Sequence, residues 1–370
     1  MFDFLPAALR TPVSFVIVLG VLVFIHEMGH YLAARWRGVH VEAFSIGFGR
    51  ALTQWTDRRG TVWKLAWLPL GGYVKLHGQE QPVDVTPEER AAYLPGRTFH
   101  EKSVLSRAII VAAGPVANFL LAIVLFAGLF MALGRPQSVP VFSDVVAGGA
   151  AAAAQLQVGD RVRSIDGTAI TRFEDIRKIV ATNPDQTMQF VIERDGQSIP
   201  VTVKTGVQVT RNGKIGVLGV RGAAGDYQKM GPLQAIGAGA SETWDVVVQT
   251  MQSFGQMLSG TRGSEELGGP LRIAEMSGQV AQQGIPTLIG FIALLSVNLG
   301  LINLFPIPIL DGGHLVFYAL EALRGRPLPP RAQQVGFRAG AAVLATLFIF
   351  ATWNDLTHLG LFRWVAGLIG

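Results

Sequence analysis

Four apolar stretches, each near the roughly 20 residues that an α-helix needs to cross a bilayer core, constrain the fold of this chain most strongly. They cover residues 13–34, 105–133, 286–304 and 336–353. The third stretch continues brokenly past Pro306 and Pro308. Only 15% of the 370 residues are charged, whereas a soluble domain carries about 25%. The sequence therefore predicts a polytopic α-helical membrane protein with about four transmembrane helices.

These stretches divide the chain into nine predicted segments. The transmembrane segments cover residues 1–34, 104–134, 286–322 and 336–358. The segments between and after them are a loop at 35–103, a domain at 135–222, an amphipathic linker at 223–285, a basic loop at 323–335 and a tail at 359–370. A cleaved signal peptide is the alternative for the first stretch, but no basic region worth the name precedes it.

The basic residues predict the orientation in the membrane, because cytoplasmic loops are enriched in Lys and Arg. Arg35 and Arg37 follow the first stretch, and Lys102 and Arg107 precede the second. Four further arginines lie within residues 323–338. We therefore expect loops 35–103 and 323–335 in the cytoplasm and the neutral region 135–285 outside. No basic run interleaved with aromatic residues indicates a nucleic-acid partner.

The first stretch contains His26-Glu27-Met28-Gly29-His30, which has the H-E-x-x-H pattern. Residues four apart share one face of a helix, so two imidazoles can bind one Zn²⁺ while the glutamate between them polarises a water. Ionisable residues inside a transmembrane helix are costly and indicate function by default. The chain has no cysteine, so histidine or carboxylate must complete the site. Polar contacts between helices are the structural alternative.

Asp311, in Leu310-Asp311-Gly312-Gly313-His314, is the predicted third metal ligand. It follows the proline-interrupted part of the third stretch, and irregular backbone at membrane depth is tolerated where it lines a cavity. His26 and Asp311 also fall at matching depths, both towards the cytoplasmic side. His314 and Glu321 are rival ligands, whereas His358 falls at the wrong depth.

Asn118 and Asn303 are amides inside apolar stretches, where an unpaired polar group is costly. One interpretation is that they hydrogen-bond between helices. The other is that they orient a metal ligand or bind the substrate backbone.

Five ordered motifs resemble the site-2 proteases, most closely the bacterial regulator of sigma-E protease type. They are HEMGH at 26–30, FSIGFG at 44–49, PLGGYVKL at 69–76, GPVANF at 114–119 and NLFPIPILDGGHL at 303–315. The resemblance implies a zinc metalloendopeptidase of the bacterial inner membrane that cuts single-pass membrane proteins after another protease has shortened them. An anti-sigma factor or signal-peptide remnants are the implied substrates. It also implies that His26, His30 and Asp311 bind Zn²⁺ and that Glu27 is the catalytic glutamate.

Residues 62–77 predict a membrane-associated β-hairpin, with two short strands around the turn at Pro69-Leu70-Gly71-Gly72. A helical substrate must be unwound before cleavage, and an exposed strand edge can hold the unwound segment by β-augmentation. Gly71, Gly72 and Tyr73 are therefore candidate substrate-binding residues. The resemblance agrees, because the family carries a re-entrant β-loop here. An ordinary interfacial hairpin is the alternative.

Residues 135–222 predict an inserted extracytoplasmic α+β domain that resembles a PDZ domain, notably in QLQVGDRVRSIDGTAI at 155–170. Helical spacing indicates a helix at 173–181, and Asp195-Gly196 indicates a hairpin turn. PDZ domains bind a peptide as an added strand and hold its carboxylate on backbone amides. Ile215, Gly216 and Val217 are the candidate carboxylate loop. The alternative is a size filter that binds no peptide. The better-known members of the family type carry two PDZ modules, whereas this chain has room for one.

The predicted function is metal-assisted peptide hydrolysis inside the membrane near its cytoplasmic side. A non-catalytic PDZ scaffold would explain the domain at 135–222 but not the ionisable residues in the first stretch. A zinc transporter would need several ionisable residues along a path, and the sequence has one compact cluster.

Overall fold

The computed structural model describes residues 6–79, 93–210, 213–261, 263 and 268–358. Its helices are α1 (Ala7–Trp36), α2 (Val104–Ala132), α3 (Ala150–Ala153), α4 (Phe173–Ala181), α5 (Pro232–Leu258), α6 (Pro270–Gln282), α7 (Ile285–Asn303), α8 (Asp311–Arg324) and α9 (Pro330–His358). Its strands are β1 (Val41–Thr56), β2 (Val62–Leu76), β3 (Arg135–Val145), β4 (Arg161–Ile165), β5 (Thr168–Ala169), β6 (Thr187–Arg194), β7 (Gln197–Lys204), β8 (Gly206–Thr210), β9 (Gly213–Val217) and β10 (Val220–Gln228).

The chain forms two compact units. The first comprises Met1–Gly128, Ile236–Gln252 and Ser264–Gly370, and the second comprises Leu129–Ala235 and Ser253–Gly263. Within the described residues, four helices are long and apolar enough to cross a membrane: Leu9–Trp36, Val104–Ala132, Ile285–Asn303 and Pro330–His358. The prediction of four spanning stretches is confirmed in length and composition. The predicted tail at 359–370 lies outside the described residues.

The third apolar stretch is two helices rather than one segment over 286–322. Helix α7 ends at Asn303, and α8 begins at Asp311. Pro306 and Pro308 lack the amide hydrogen that a continuing helix requires, so the chain between the helices is irregular. Helix α9 begins at Pro330, six residues before the predicted start of the fourth segment. The basic loop at 323–335 is correspondingly shorter.

The predicted hairpin turn at residues 69–72 is wrong, because this sequence lies inside the single strand β2. Strand β2 is antiparallel to β1, with Val41 opposite Leu76 and Thr56 opposite Val62. Residues 41–46 lie opposite both 72–76 and 62–65, so the two-stranded sheet folds back on itself. Gly71, at φ +136°, adopts a backbone conformation that favours glycine and lets β2 bend without ending. The two halves of the predicted hairpin are therefore strands, but each pairs with β1 and not with the other half.

The second unit contains a sheet with strand order β10-β3-β4-β6-β7, and β5 pairs with β4. Phe142, Phe190 and Ile192 are completely or almost completely buried in its core, and each such side chain contributes roughly 1.5–3 kcal/mol. The predicted helix at 173–181 is α4, which buries Ile176 and Val180. The predicted turn joins β6 to β7, with Asp195 at φ +52° and Gly196 at φ +78°, as a type I′ turn requires.

Most of the predicted linker at 223–285 is helical. Helices α5 and α6 occupy most of it, and β10 extends the second unit to Gln228. In the first unit, Thr250 Oγ1 of α5 donates a hydrogen bond of 3.0 Å to Asn298 Oδ1 of α7. Part of α5 thus packs on a candidate membrane span, an arrangement that the amphipathic pattern of its sequence did not predict.

Asp355, near the end of α9, binds the start of α6. Its carboxylate is 2% exposed and accepts hydrogen bonds from the backbone amides of Gly269, Leu271 and Arg272 at 2.8, 3.0 and 3.2 Å. The first amides of a helix have no partner within the helix, and the helix dipole favours an anion there. The carboxylate therefore joins two helices that are distant in sequence.

We expect Asp355→Ala to destabilise the first unit, because it leaves three amides without their acceptor. The expected loss is about 1–3 kcal/mol for a buried group without a partner, measured as a lower midpoint of thermal unfolding in detergent. Asp355→Asn keeps one acceptor oxygen and should recover part of the loss. Thr357→Ala, on the exposed face of the same helix turn, is the control. Equal midpoints for Asp355→Ala and Thr357→Ala would contradict the capping role.

Candidate metal centre

Three side chains from two helices converge within the first unit. His26 and His30 lie one turn apart on α1, and Asp311 is the first residue of α8. His26 Nε2 is 3.2 Å from His30 Nε2, and Asp311 Oδ2 lies 3.2 Å from the first and 3.5 Å from the second. Among the described residues, these side chains form the group of three or more His, Cys, Asp or Glu residues that could hold one metal ion. The structure thus brings together the three predicted ligands.

Hydrogen bonds on the far side of each imidazole determine which nitrogen faces the centre. His30 Nδ1 lies 2.9 Å from the carbonyl oxygen of Ile110. A carbonyl only accepts, so Nδ1 carries the proton and Nε2 presents a lone pair. His26 Nδ1 lies 3.0 Å from the side-chain amide of Asn118. With the amide turned so that its oxygen accepts, His26 has the same tautomer. Turning the amide pairs Asn118 Oδ1 with His26 Nδ1, and Nδ2 then takes the buried position in which Oδ1 has no partner among the described residues.

This arrangement fits a zinc ion. Two imidazole lone pairs and the buried Asp311 Oδ2, which has no hydrogen-bond donor among the described residues, face one another without a proton between them. In these tautomers the three acceptors repel one another, and a bound cation would remove that repulsion. Zn–N and Zn–O distances near 2.0–2.1 Å in tetrahedral geometry separate neighbouring ligand atoms by roughly 3.3 Å. The observed separations of 3.2–3.5 Å match this value.

Glu27 lies beside the three ligands and lines a cavity of about 290 Å³ with them. Gly72 of β2 also lines this cavity, and a Cβ atom at Gly72 would lie 3.0 Å from Glu27 Cγ. The bent strand therefore passes directly over the glutamate. Because Glu27 is not one of the three convergent ligands, its carboxylate remains available for proton transfer.

The other predicted site residues have different positions. Gly72, Tyr73 and Asn303 line the metal cavity. A Cβ atom at Gly71 would instead meet the Phe48 ring, so Gly71 faces away from the cavity lining. Asn118 contacts His26, which fits the interpretation that it orients a metal ligand.

The end of β2 is held by a polar cluster beyond Leu76. His77 Nδ1 lies 2.7 Å from Glu42 Oε1, and Lys75 Nζ lies 3.0 Å from Glu42 Oε2. Burial opposes ionisation of Glu42, but the hydrogen bonds from His77 and Lys75 outweigh burial and lower the pKa of this carboxyl. These bonds fix the strand end beside the cavity, which Leu76 lines.

The chain that precedes Asp311 is strained. Ile309 has φ +100°, a conformation that a β-branched residue rarely adopts. Strain of this kind costs about 1–3 kcal/mol and persists where the surrounding structure determines the backbone. Ile309 and Asp311 both line the cavity. The strained residue is therefore part of the site that Asp311 belongs to.

The rival ligands do not belong to the convergent group. Glu321 forms two hydrogen bonds with Arg107, at 2.6 and 3.1 Å. His314 lines the metal cavity, but its ring packs on Phe337 with centroids 5.3 Å apart. His358 is the last residue of α9 and does not belong to the convergent group.

The candidate carboxylate loop of the second unit is a strand. Ile215, Gly216 and Val217 belong to β9, where Ile215 is opposite Gln208 and Gly216 is opposite Val207 of β8. This pairing was not predicted from the sequence. The expected free loop is therefore replaced by a paired segment.

Gly114 of α2 is a residue whose role the sequence did not reveal. A Cβ atom there would overlap His30 Nε2 and lie 2.9 Å from His26 Cε1. Ile110, whose carbonyl accepts from His30, likewise has no distinguishing side chain. The motif at 114–119 contained the available signal, a glycine four residues before Asn118, but it did not identify the two histidines as neighbours of that glycine.

We expect Gly114→Ala to displace the His30 ring and to weaken metal binding, whereas Gly128→Ala in the same helix should not. A Cβ atom at Gly128 meets nothing within 4 Å. Changes beside metal ligands typically weaken metal binding about 10- to 100-fold, and zinc content after dialysis measures this. Full zinc content in Gly114→Ala would show that the rings do not occupy the described positions.

Comparisons with known proteins agree with this site. The model of peptidase family M50 matches residues 14–347. A Rhizobium meliloti protein that carries the zinc metalloprotease name is 45% identical, over 94% of this chain and 96% of its own length. An Agrobacterium fabrum protein with the same type of name is 43% identical over the same shares. Metalloprotease MmpA of Caulobacter vibrioides is 38% identical, over 96% of this chain and 98% of its own length.

Among solved structures, the PDZ domain of the SdrC-like protein from Listeria monocytogenes is similar to part of the chain. It is 16% identical with a TM-score of 0.21, over 25% of this chain and 94% of that one. The assignment to a family rests on the family model and on the relatives that align with nearly the whole chain. On that basis the chain belongs to peptidase family M50, the site-2 protease family of zinc metalloproteases.

Proposed function

We propose that this zinc metalloprotease hydrolyses peptide bonds within the transmembrane segments of single-pass membrane proteins. The observation that carries the proposal is a metal-ligand cluster located on apolar helices. His26 and His30 lie within the candidate span Leu9–Trp36, and Asp311 follows the candidate span Ile285–Asn303 by eight residues. A metal centre in this setting acts on bonds at membrane depth.

In the proposed reaction, His26, His30 and Asp311 hold zinc, which when bound acidifies a water and polarises the scissile carbonyl. Glu27 accepts the proton of the attacking water and later delivers it to the leaving amine. Asn118 and the Ile110 carbonyl hold the two imidazoles in the required tautomers.

The edge of β2 is the proposed binding site for the unwound substrate. Gly72, Tyr73, Val74 and Leu76 line the metal cavity. Residues 72–76 pair with β1 on one side, and no further strand pairs with them among the described residues. An extended peptide added at this edge would place its backbone beside Glu27.

We further propose the bacterial inner membrane as the location, with the metal centre towards the cytoplasm and the second unit outside. The basic residues that flank the candidate spans support this orientation. Substrates shortened beforehand by another protease fit a site that must admit a whole transmembrane segment. For the second unit we propose that it binds an extracytoplasmic peptide, with a size filter for the same substrates as the alternative.

The test is a comparison of membrane proteomes from cells with the wild-type enzyme and cells with Glu27→Gln. We expect truncated single-pass proteins to accumulate in the Glu27→Gln cells alone. The scaffold alternative predicts identical proteomes, because it needs no proton transfer by Glu27. Zinc transport predicts altered cellular zinc with no change in the truncated proteins.

A further inference from the structure

A second cavity, of about 560 Å³, adjoins the metal cavity. The two share Gln79, His314 and Tyr318 in their linings. His314 follows Asp311 by three residues, so the second cavity begins within one helical turn of a metal ligand. All described lining residues belong to the first unit.

Seven of the thirteen described residues that line this cavity are aromatic or aliphatic, and their side chains form most of its exposed wall. Phe99, Phe317, Tyr318 and Phe337 supply four aromatic side chains. The Phe317 and Phe337 rings are 5.6 Å apart, and the Phe99 and Tyr318 rings are 6.5 Å apart. These spacings leave ring surfaces for contact with a further apolar or aromatic group. We call this cavity the aromatic pocket.

The main charges in the aromatic pocket compensate each other. Arg107 binds both carboxylate oxygens of Glu321, at 3.1 and 2.6 Å, and the two side chains are 11% and 12% exposed. The Arg107 guanidinium also lies 5.0 Å from the centre of the Tyr318 ring. Because the pair is neutral as a whole and already hydrogen-bonded, it offers a charged guest no open partner. The pocket chemistry therefore favours an apolar guest.

The proposed substrate edge leads towards this pocket. Gly72, Val74 and Leu76 line the metal cavity in order along β2, and Gln79 belongs to both cavities. A chain paired along this edge advances about 3.3 Å per residue. It would therefore travel from Glu27 to the pocket entrance within about two to four residues.

We infer that the aromatic pocket receives a large apolar or aromatic side chain of the substrate, about two to four residues from the scissile bond on the Leu76 side. The inference rests on the proposed function and adds a preference for substrate sequence. A pocket of this size holds a Phe or Trp side chain, whereas Ala would leave it largely empty.

Leu328 offers a way to change the pocket without touching the metal ligands. It lines the pocket and is half-buried, and its carbonyl accepts a hydrogen bond of 2.9 Å from Gln333 Nε2. The backbone is thus fixed, so a larger side chain should project into the space. Leu323, on α8 and 84% exposed, is not among the described lining residues and is the matched control.

The experiment uses purified full-length enzyme and a single-pass model substrate in detergent, with the cleaved bond located by mass spectrometry. Phe or Ala is placed at each position two to four residues from the bond on both sides. We expect the wild type to prefer Phe about 10- to 200-fold at one position on one side. Leu328→Trp should reduce this Phe-to-Ala ratio at least about 10-fold, whereas Leu323→Trp should preserve it.

Leu328→Ala is the second variant, and it should raise cleavage of a Trp substrate relative to a Phe substrate at the same position. If Leu328→Trp loses its zinc, Leu328→Ala still tests whether the aromatic pocket receives the substrate side chain. Unchanged ratios in the zinc-bound Leu328 variants, or cleavage by the wild type without side-chain preference, would overturn the inference and leave the proposed function standing. Failure of the wild type to cleave any substrate above Glu27→Gln would overturn both.

Discussion

Glu27→Gln is expected to retain zinc and to lose cleavage of a membrane substrate. Glutamine has nearly the same volume as glutamate but cannot accept a proton at neutral pH. General base catalysis contributes about 10²- to 10⁴-fold to a rate, so a loss of at least this size is expected in kcat. Zinc content should be unchanged, because the three convergent ligand atoms belong to His26, His30 and Asp311.

The measurement combines zinc analysis with single-turnover cleavage of a single-pass substrate in detergent. Glu275→Gln is the matched control, because Glu275 lies on α6 and its carboxylate accepts a hydrogen bond from Gln279 of the same helix. Its cleavage rate should stay close to that of the wild type. Cleavage by Glu27→Gln at the wild-type rate would remove Glu27 from the reaction, whereas loss of zinc would show that the variant disturbs the ligands instead.

The sequence was sufficient to predict the ligands because the membrane restricts where a polar residue can lie. The helical rise predicts the depth of His26, and the basic residues after the third apolar stretch predict the depth of Asp311. Two ionisable residues predicted at one depth are both costly in an apolar environment, so contact between them is favoured. The structure places Asp311 Oδ2 3.2 Å from His26 Nε2.

Regular local signals also predicted parts of the second unit. The spacing of Ile176 and Val180 identified α4, and Asp195-Gly196 identified the turn between β6 and β7. Both signals depend on a few neighbouring residues, so they can be recognised from the sequence alone. The two-stranded sheet differs, because a Pro-Leu-Gly-Gly sequence bends a strand in the same way that it forms a turn. Only the pairing of β2 with β1 distinguishes the two outcomes.

Other contacts between residues distant in sequence could not be predicted. Arg107 and Glu321 are 214 positions apart, and Asp355 binds amides 83–86 positions away. Each of these residues has an ordinary role in its own segment, such as a flanking charge or a polar helix end. The tertiary fold alone gives Arg107 its acidic partner and gives Asp355 a helix start to cap. The same holds for the backbone carbonyl of Ile110, which has no side-chain signature.

Asp311→Asn is expected to lose zinc and, as a consequence, cleavage. Asp311 contributes the one anionic oxygen of the three ligand atoms, and a neutral amide oxygen is a much weaker ligand for Zn²⁺. Asparagine keeps the size of the side chain at the start of α8, so the helix should still form. We expect zinc affinity to fall by more than about 10²-fold, beyond the effect of changes outside the ligand set.

The measurement is zinc content per chain after dialysis against a competing chelator, with cleavage of the same membrane substrate as the second readout. Asp355→Asn is the matched control, since it changes a buried aspartate of the same unit that binds backbone amides. Its folded fraction should retain zinc. His314→Ala should also retain zinc, although His314 lines the same cavity. The opposite result, full zinc content in Asp311→Asn and zinc loss in His314→Ala, would identify His314 as the third ligand. The first turn of α8 would then have to be rotated relative to α1.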